Sequence, residues 1–207
     1  MKKLEVFYLL FVFTGVLFKK MEWPFANLMV VVGMSSLAIL YYPFAFALLQ
    51  NIKARHLFKK QAYVNITAAS TVLAVLAGLA LAILCVGLMF KWQFWSHSHS
   101  ILNMGLVVTA IAALLIFILL RKQPFALKRN FFRRASILFA FGLLFRFTPA
   151  TTFADIIYHE QPCYRDALKA VMANPNNPEV RKRWDNMKKG IYPADCNDNL
   201  DTYQSSH

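Results

Sequence analysis

Carboxylates are nearly missing from the first 153 residues of this chain, which hold two, Glu5 and Glu22, against 16 Lys and Arg. Charge of either sign is scarce throughout, at 16% of 207 residues, where soluble domains carry about 25%. That scarcity excludes an ordinary cytosolic enzyme and a disordered chain. Three cysteines are too few for a disulfide-dense secreted mini-protein. G-x-S-x-G, a Walker loop, H-E-x-x-H and C-x-x-C are all absent. No nucleophile, base or metal constellation is visible, so the chain reads as non-enzymatic, with no cofactor. His97-Ser98-His99 has no nearby acid or Cys in sequence and makes a poor metal site.

Apolar side chains fill the space. Hydrophobic residues make up 58% of the chain, with 19 Phe. Five apolar stretches stand out: about Leu4–Phe18, Phe25–Gln50, Ala62–Phe90, Ile101–Leu120 and Ala135–Ile157. A spanning helix needs about 20 residues. The fold expected is therefore all-α, a polytopic membrane bundle of five transmembrane helices. The first stretch is short and needs Lys19 and Lys20 to snorkel. It ends in those lysines without a small-x-small cleavage site, so it reads as a retained helix and not a signal peptide. The fifth is interrupted by Arg146 and Pro149. Glu5, near the end of the first, reads as solvated.

The chain repeats itself at an offset of 72 residues. Gly15-Val-Leu-Phe-Lys19 falls on Gly87-Leu-Met-Phe-Lys91, Trp23 on Trp95 and Gly33 on Gly105. This predicts two helical hairpins, about 4–50 and 62–120, followed by a fifth helix at 135–157. The glycines allow close helix approach. Lys19 and Lys91 lift their charges to the headgroups, and Trp23 and Trp95 anchor at the interface. Pro24 is placed to start the returning helix. Ser70, Ala74, Gly78 and Ala82 form a small-residue stripe on the third stretch, suited to internal packing or to a partner subunit. Asn65 and Thr67 add interhelical donors. Cys85 reads as a small core residue.

The net charge of +13 does not point to nucleic acid, because the cations cluster between apolar runs. Loop 51–61 carries Lys53, Arg55, Lys59 and Lys60. Loop 121–134 carries Arg121, Lys122, Lys128, Arg129, Arg133 and Arg134. The positive-inside rule places both, with the N-terminus, in the cytoplasm. Both hairpins then start inside, so the repeat is parallel. Arg146 lies about midway along the fifth stretch. It is either an anion site or buried pairing partner, or it snorkels where the helix unwinds at Pro149.

Residues 158–207 form a polar tail, periplasmic if the fifth stretch spans. Asn177-Pro178-Glu179 is a helix start, Val180, Trp184 and Met187 share one face, and Gly190 closes the helix. A shorter helix is expected over Arg165–Met172. Cys163 and Cys196 flank the pair, and a disulfide between them would persist in that compartment.

The run Gly15-Val-Leu-Phe-Lys-Lys-Met-Glu-Trp-Pro24, followed by Asn27-Leu-Met-Val-Val-Val-Gly33, resembles the GldL-like transmembrane hairpin family. That family serves the gliding-motility and type IX secretion motor of Bacteroidota. Its hairpin reads G-A-L-F-K-x-x-H-[WF], a turn, then M-L-x-x-G. The resemblance covers about 30 residues, or about 60 with the repeat. It implies a multi-pass bacterial inner-membrane protein working beside other membrane subunits of an envelope complex. The family's proton-pathway Glu, four residues after the second Gly, is here Leu37, and Thr109 in the second copy. The expectation is an accessory or scaffold subunit of an ion-driven motor of the gliding, type IX or Ton kind, without proton driving of its own. A small transporter or channel is the alternative, resting on Arg146 and the duplicated hairpins.

Overall fold

A computed structural model describes residues 2–21, 23, 25–50, 52, 67–95, 97–119, 125–159, 161–189, 191 and 196. They form eight helices and, among the described residues, no strand: α1 Lys2–Lys20, α2 Ala26–Leu49, α3 Ala68–Trp92, α4 Ser98–Leu119, α5 Phe125–Phe147, α6 Ala150–Ile157, α7 Pro162–Ala173 and α8 Pro178–Lys188. The chain divides into two compact units, 1–148 and 149–207. The division falls before residue 157, the boundary expected from sequence.

Among the described residues three helices are long and apolar enough to cross a membrane: Ala26–Ala45 within α2, Ala68–Trp92 and Ser98–Leu119. A fourth is added if α5 and α6 count as one broken span. In α1, Lys3, Glu5, Lys19 and Lys20 fall within 19 residues and set it below the other three. Outward side chains of the first unit are apolar, among them Phe7, Leu10 and Phe13 on α1 and Val107, Ile111 and Leu114 on α4. Water would not tolerate so broad an apolar face, and lipid does.

The two hairpins are built alike down to single hydrogen bonds. Trp23 N–H donates to Phe18 O at 2.9 Å, and Trp95 N–H to Phe90 O at 3.1 Å. Met29 N–H donates to Phe25 O at 3.0 Å, and Ile101 N–H to His97 O at 3.1 Å. Phe25 at φ 67° and His97 at φ 60° hold the same register position in the left-handed region, and the second turn has Phe94 there as well, at φ 55°. Such a conformation costs about 1–2 kcal/mol, and both copies contain it. Pro24 lies outside the described residues. The returning helix runs over Ala26–Leu49.

Close approach follows from the four repeat glycines. A Cβ on Gly87 would meet Leu102 Cα at 2.7 Å, and one on Gly105 would meet Leu84 Cα at 2.8 Å. A Cβ on Gly33 would meet Val12 Cγ2 at 2.5 Å, and one on Gly15 would meet Met29 Cβ at 2.9 Å. Ser70, Ala74, Gly78 and Ala82 are all buried in this unit. A Cβ on Gly78 would strike Ala45 Cβ and the Tyr41 carbonyl of α2, and Gln50 Nε2 donates to Ser70 Oγ at 3.3 Å. The stripe packs α3 on α2. Thr67 caps α3 by accepting from Ser70 N–H at 3.3 Å and makes that bond within its own helix; Asn65 lies outside the described residues. Cys85 is a free, buried core residue.

The expected helix at 135–157 is corrected to two. α5 starts at Phe125, so residues 125–134 are helical and not loop, and it stops at Phe147. Pro149 has no N–H to continue the ladder and disfavours α geometry at Thr148. At ψ 144° it serves instead as the N-cap residue of α6.

In the second unit Ala167, Met187 and Cys196 form a small core, with Cys163, Tyr164 and Trp184 packed against it. Trp184 and Val180 are only partly covered. Tyr158, Tyr164 and Trp184 form a ring ladder with centroids 4.7 and 4.6 Å apart. Asn177 caps α8, its Oδ1 accepting from Glu179 N–H at 3.0 Å and Val180 N–H at 3.4 Å. Lys189 follows as C-cap, and Gly190 lies outside the described residues. α7 runs past the expected Arg165–Met172 at both ends, starting at Pro162, which suits the first turn, and ending at Ala173. Cys163 and Cys196 are disulfide-bonded, their Cα atoms 5.9 Å apart. By the loop-entropy model a bridge of this span contributes roughly 3–4 kcal/mol.

Candidate functional site

Two polar constellations interrupt the apolar first unit, one near each end of its helices. Glu5 and Arg134 make the first. Glu5 sits one turn into α1 and is 7% exposed, which corrects the expectation of a solvated acid. Arg134, expected in a loop, lies on α5 and is 4% exposed. Its Nε donates to Glu5 Oε1 at 2.5 Å and its Nη2 to Oε2 at 2.6 Å, a fork on both carboxylate oxygens. The Tyr41 hydroxyl of α2 donates to Oε1 at 2.9 Å. Arg134 Nη1 donates to Asn130 O at 3.0 Å, and Asn130 Nδ2 to Leu49 O at 2.8 Å. Leu49 ends α2, so its carbonyl has no helical acceptor role left to fill. The network ties α1, α2 and α5 together, with each charge paired and further hydrogen-bonded.

The second constellation lies at the Trp turns. Lys19 and Lys91 are 5% and 2% exposed, so their ammonium groups are turned inward and do not snorkel outward. Lys19 Nζ donates to Trp92 O at 3.0 Å and lies 5.6 Å from the Trp92 ring centroid and 5.3 Å from that of Phe94. A cation there meets both the negative end of α3 and two ring faces. Lys91 Nζ is 3.0 Å from His99 Nε2. Arg146 Nε donates to Asn103 Oδ1 at 2.6 Å, which makes Arg146 a hydrogen-bonded, partly covered residue of the bundle. Trp92 and Phe145 pack with centroids 5.6 Å apart. Trp23 and Trp95 remain about half exposed, at 54% and 44%, each against the preceding Phe.

Leu37 and Thr109, each four residues after a repeat glycine, are buried. Thr109 Oγ1 donates to Ala80 O at 3.3 Å, so this second-copy position serves helix packing. Beside it an apolar groove of about 450 Å³ runs between α4 and α5, lined by Thr109, Ala113, Phe117, Phe132, Ala135 and Phe139. Among the described residues no three His, Cys, Asp or Glu gather as metal ligands.

Sequence reasoning missed the Glu5–Arg134 pair and the inward lysines. One signal was available: Glu5 is the only carboxylate of the first stretch, and its register places it beside buried Val12 and not beside exposed Phe7 and Leu10. Its partner, 129 positions away, left no local trace. The architecture is that of a multi-pass helical membrane protein. Comparison with protein-family models, curated proteins and solved structures finds no match to the chain.

Proposed function

We propose that this chain is a non-enzymatic inner-membrane subunit that packs beside, or regulates, a larger bacterial envelope complex. An ion-driven motor of the gliding, type IX secretion or Ton kind is the candidate. The reading rests on the resemblance of the doubled hairpin to the GldL-like family, and the observation that supports it is the burial of Leu37 and Thr109, where that family would carry its Glu. A hairpin of that shape without its acid suits a scaffold. Purification of the full chain in mild detergent should bring down stoichiometric membrane partners, and the isolated protein in liposomes should pass no ions. The transporter or channel reading rests on Arg146 and the duplicated hairpins, and the buried Glu5–Arg134 pair adds to it. Ion flux from a partner-free preparation would establish that reading and overturn ours.

The proposal includes five spans, with α1 and the α5–α6 pair added to the three long apolar helices. At 1.5 Å per residue α1 is about 28 Å long, close to the ~30 Å hydrocarbon core. The N-terminus and the two basic loops face the cytoplasm, and the disulfide-bonded tail faces the periplasm. Reporter fusions after residues 58, 128 and 207 should read inside, inside and outside. A cytoplasmic reading after His207 would refute the topology.

A further inference from the structure

Lys91, His99 and Arg146 bring three cationic or protonatable groups from α3, α4 and α5 to one place. Lys91 Nζ is 3.0 Å from His99 Nε2, and Arg146 bonds Asn103, one helical turn from His99 on α4. Among the described residues no carboxylate forms an ion pair with any of them. Within residues 1–153 only two carboxylates exist; Glu5 is committed to Arg134, and Glu22 lies outside the described residues. Lys91 is 2% exposed, so a proton on its amine has no counter-ion at a low dielectric, and a bound anion would favour it. Such an arrangement has unmet demand for an anion.

The Arg146 guanidinium is aimed by the Nε bond to Asn103. Its two terminal amino groups have no acceptor among the described residues. They and the exposed His99 ring are the groups an incoming anion would touch, with Lys91 beneath. The seam between α4 and α5 continues from here. Gly142 packs on Leu106, where a Cβ would meet Leu106 Cδ2 at 2.8 Å. Beyond it the seam opens into the apolar groove at Thr109 and Phe139. His99, Asn103, Ala110, Ala113 and Phe117 follow one stripe of α4, by steps of three, four or seven residues. At 1.5 Å per residue the groove mouth is about 10 Å along α5 from Arg146 and about 15 Å along α4 from His99. One leaflet of hydrocarbon is about 15 Å deep. An acyl chain anchored at the cluster therefore reaches the groove, which a free anion has no use for.

We propose that Arg146, His99 and Lys91, with the α4–α5 groove, form a binding site for an anionic phospholipid, its phosphate on the cations and one acyl chain along the seam. This rests on the chain lying in a bilayer and not on the partner complex proposed above; failure to find partners leaves it standing.

The test is native mass spectrometry of the full chain in detergent, titrated with phosphatidylglycerol, phosphatidylcholine or inorganic phosphate. Phosphatidylglycerol should bind about tenfold more tightly than phosphatidylcholine, as expected for charge-assisted bonds. Arg146→Gln should erase that preference, Arg146→Lys should retain part of it, and Arg133→Gln, an exposed cation outside the site, should leave it intact. Ala113→Phe, which fills the groove, should weaken phosphatidylglycerol binding severalfold. Equal binding of the two lipids by the wild type would overturn the proposal. Competition by inorganic phosphate at the lipid's own potency, with Ala113→Phe without effect, would also overturn it and leave a free-anion site. If Arg146→Gln fails to fold, the Arg146→Lys and Ala113→Phe arms decide.

Discussion

Arg134→Met is expected to destabilise the first unit by roughly 3–5 kcal/mol, because it strands the Glu5 carboxylate without its fork. Glu5 is 7% exposed and keeps only the Tyr41 hydroxyl as a partner. Total stabilities of about 5–15 kcal/mol make this a large fraction. Adding Glu5→Gln should recover most of the loss, since a neutral amide still accepts from Tyr41 and leaves no buried charge. Tyr41→Phe alone removes one hydrogen bond and should cost about 1–2 kcal/mol. The pattern separates a buried network from a surface pair, which is worth about 1 kcal/mol or less. Thermal unfolding in detergent, followed by size-exclusion profiles of wild type and the three variants, reads it out. A single Arg134→Met variant as stable as wild type would mean that the pair is solvated and that α5 is held by its apolar face alone.

The second large effect concerns the glycines of the repeat. Gly105→Ala and Gly87→Ala should each destabilise by about 1–3 kcal/mol as overpacked sites. The new methyl faces backbone in both, Leu84 Cα at 2.8 Å and Leu102 Cα at 2.7 Å, so α3 and α4 must separate to admit it. The gain in helix propensity, about 1 kcal/mol for Gly to Ala, offsets only part. Gly33→Ala should cost less, because its nearest neighbour is the Val12 side chain, Cγ2 at 2.5 Å, with backbone only at 3.4 Å. The two hairpins share one architecture but differ in how tightly it is closed. Melting temperatures ordered wild type, Gly33→Ala, then Gly105→Ala would agree; equal losses at Gly33 and Gly105 would show that the second hairpin is no tighter than the first.

These two results bear on how polar groups are carried in an apolar bundle. Lys19 finds the Trp92 carbonyl and ring at the end of α3, and Lys91 finds His99 across the second turn. Both lysines occupy the same register of the repeat, yet their partners differ: Lys19 reaches from the first hairpin into the second, while Lys91 stays within its own. The repeat therefore has a direction across the bundle. Its second copy is covered by α5, whose Arg146 and Gly142 contact α4. An isolated hairpin could not supply that environment.

The amino-acid sequence by itself determined what depends on neighbours along the chain. Long apolar runs with few charges make helices that lipid can solvate. The offset of 72 residues carries identical turn bonds because turn geometry is set by a handful of adjacent residues. Asn177 caps α8, and Pro149 breaks the chain between α5 and α6, for the same local reason. Tertiary structure alone decided where the charges go. Glu5 looked like a solvated helix end and Arg134 a loop cation, until packing of α5 brought them together. Lys19 and Lys91 looked like headgroup anchors until α3 and α4 offered them a carbonyl and an imidazole. Hydrophobic pattern records which residues avoid water. It does not record which buried charge meets which, because that pairing depends on the order and facing of helices distant in sequence.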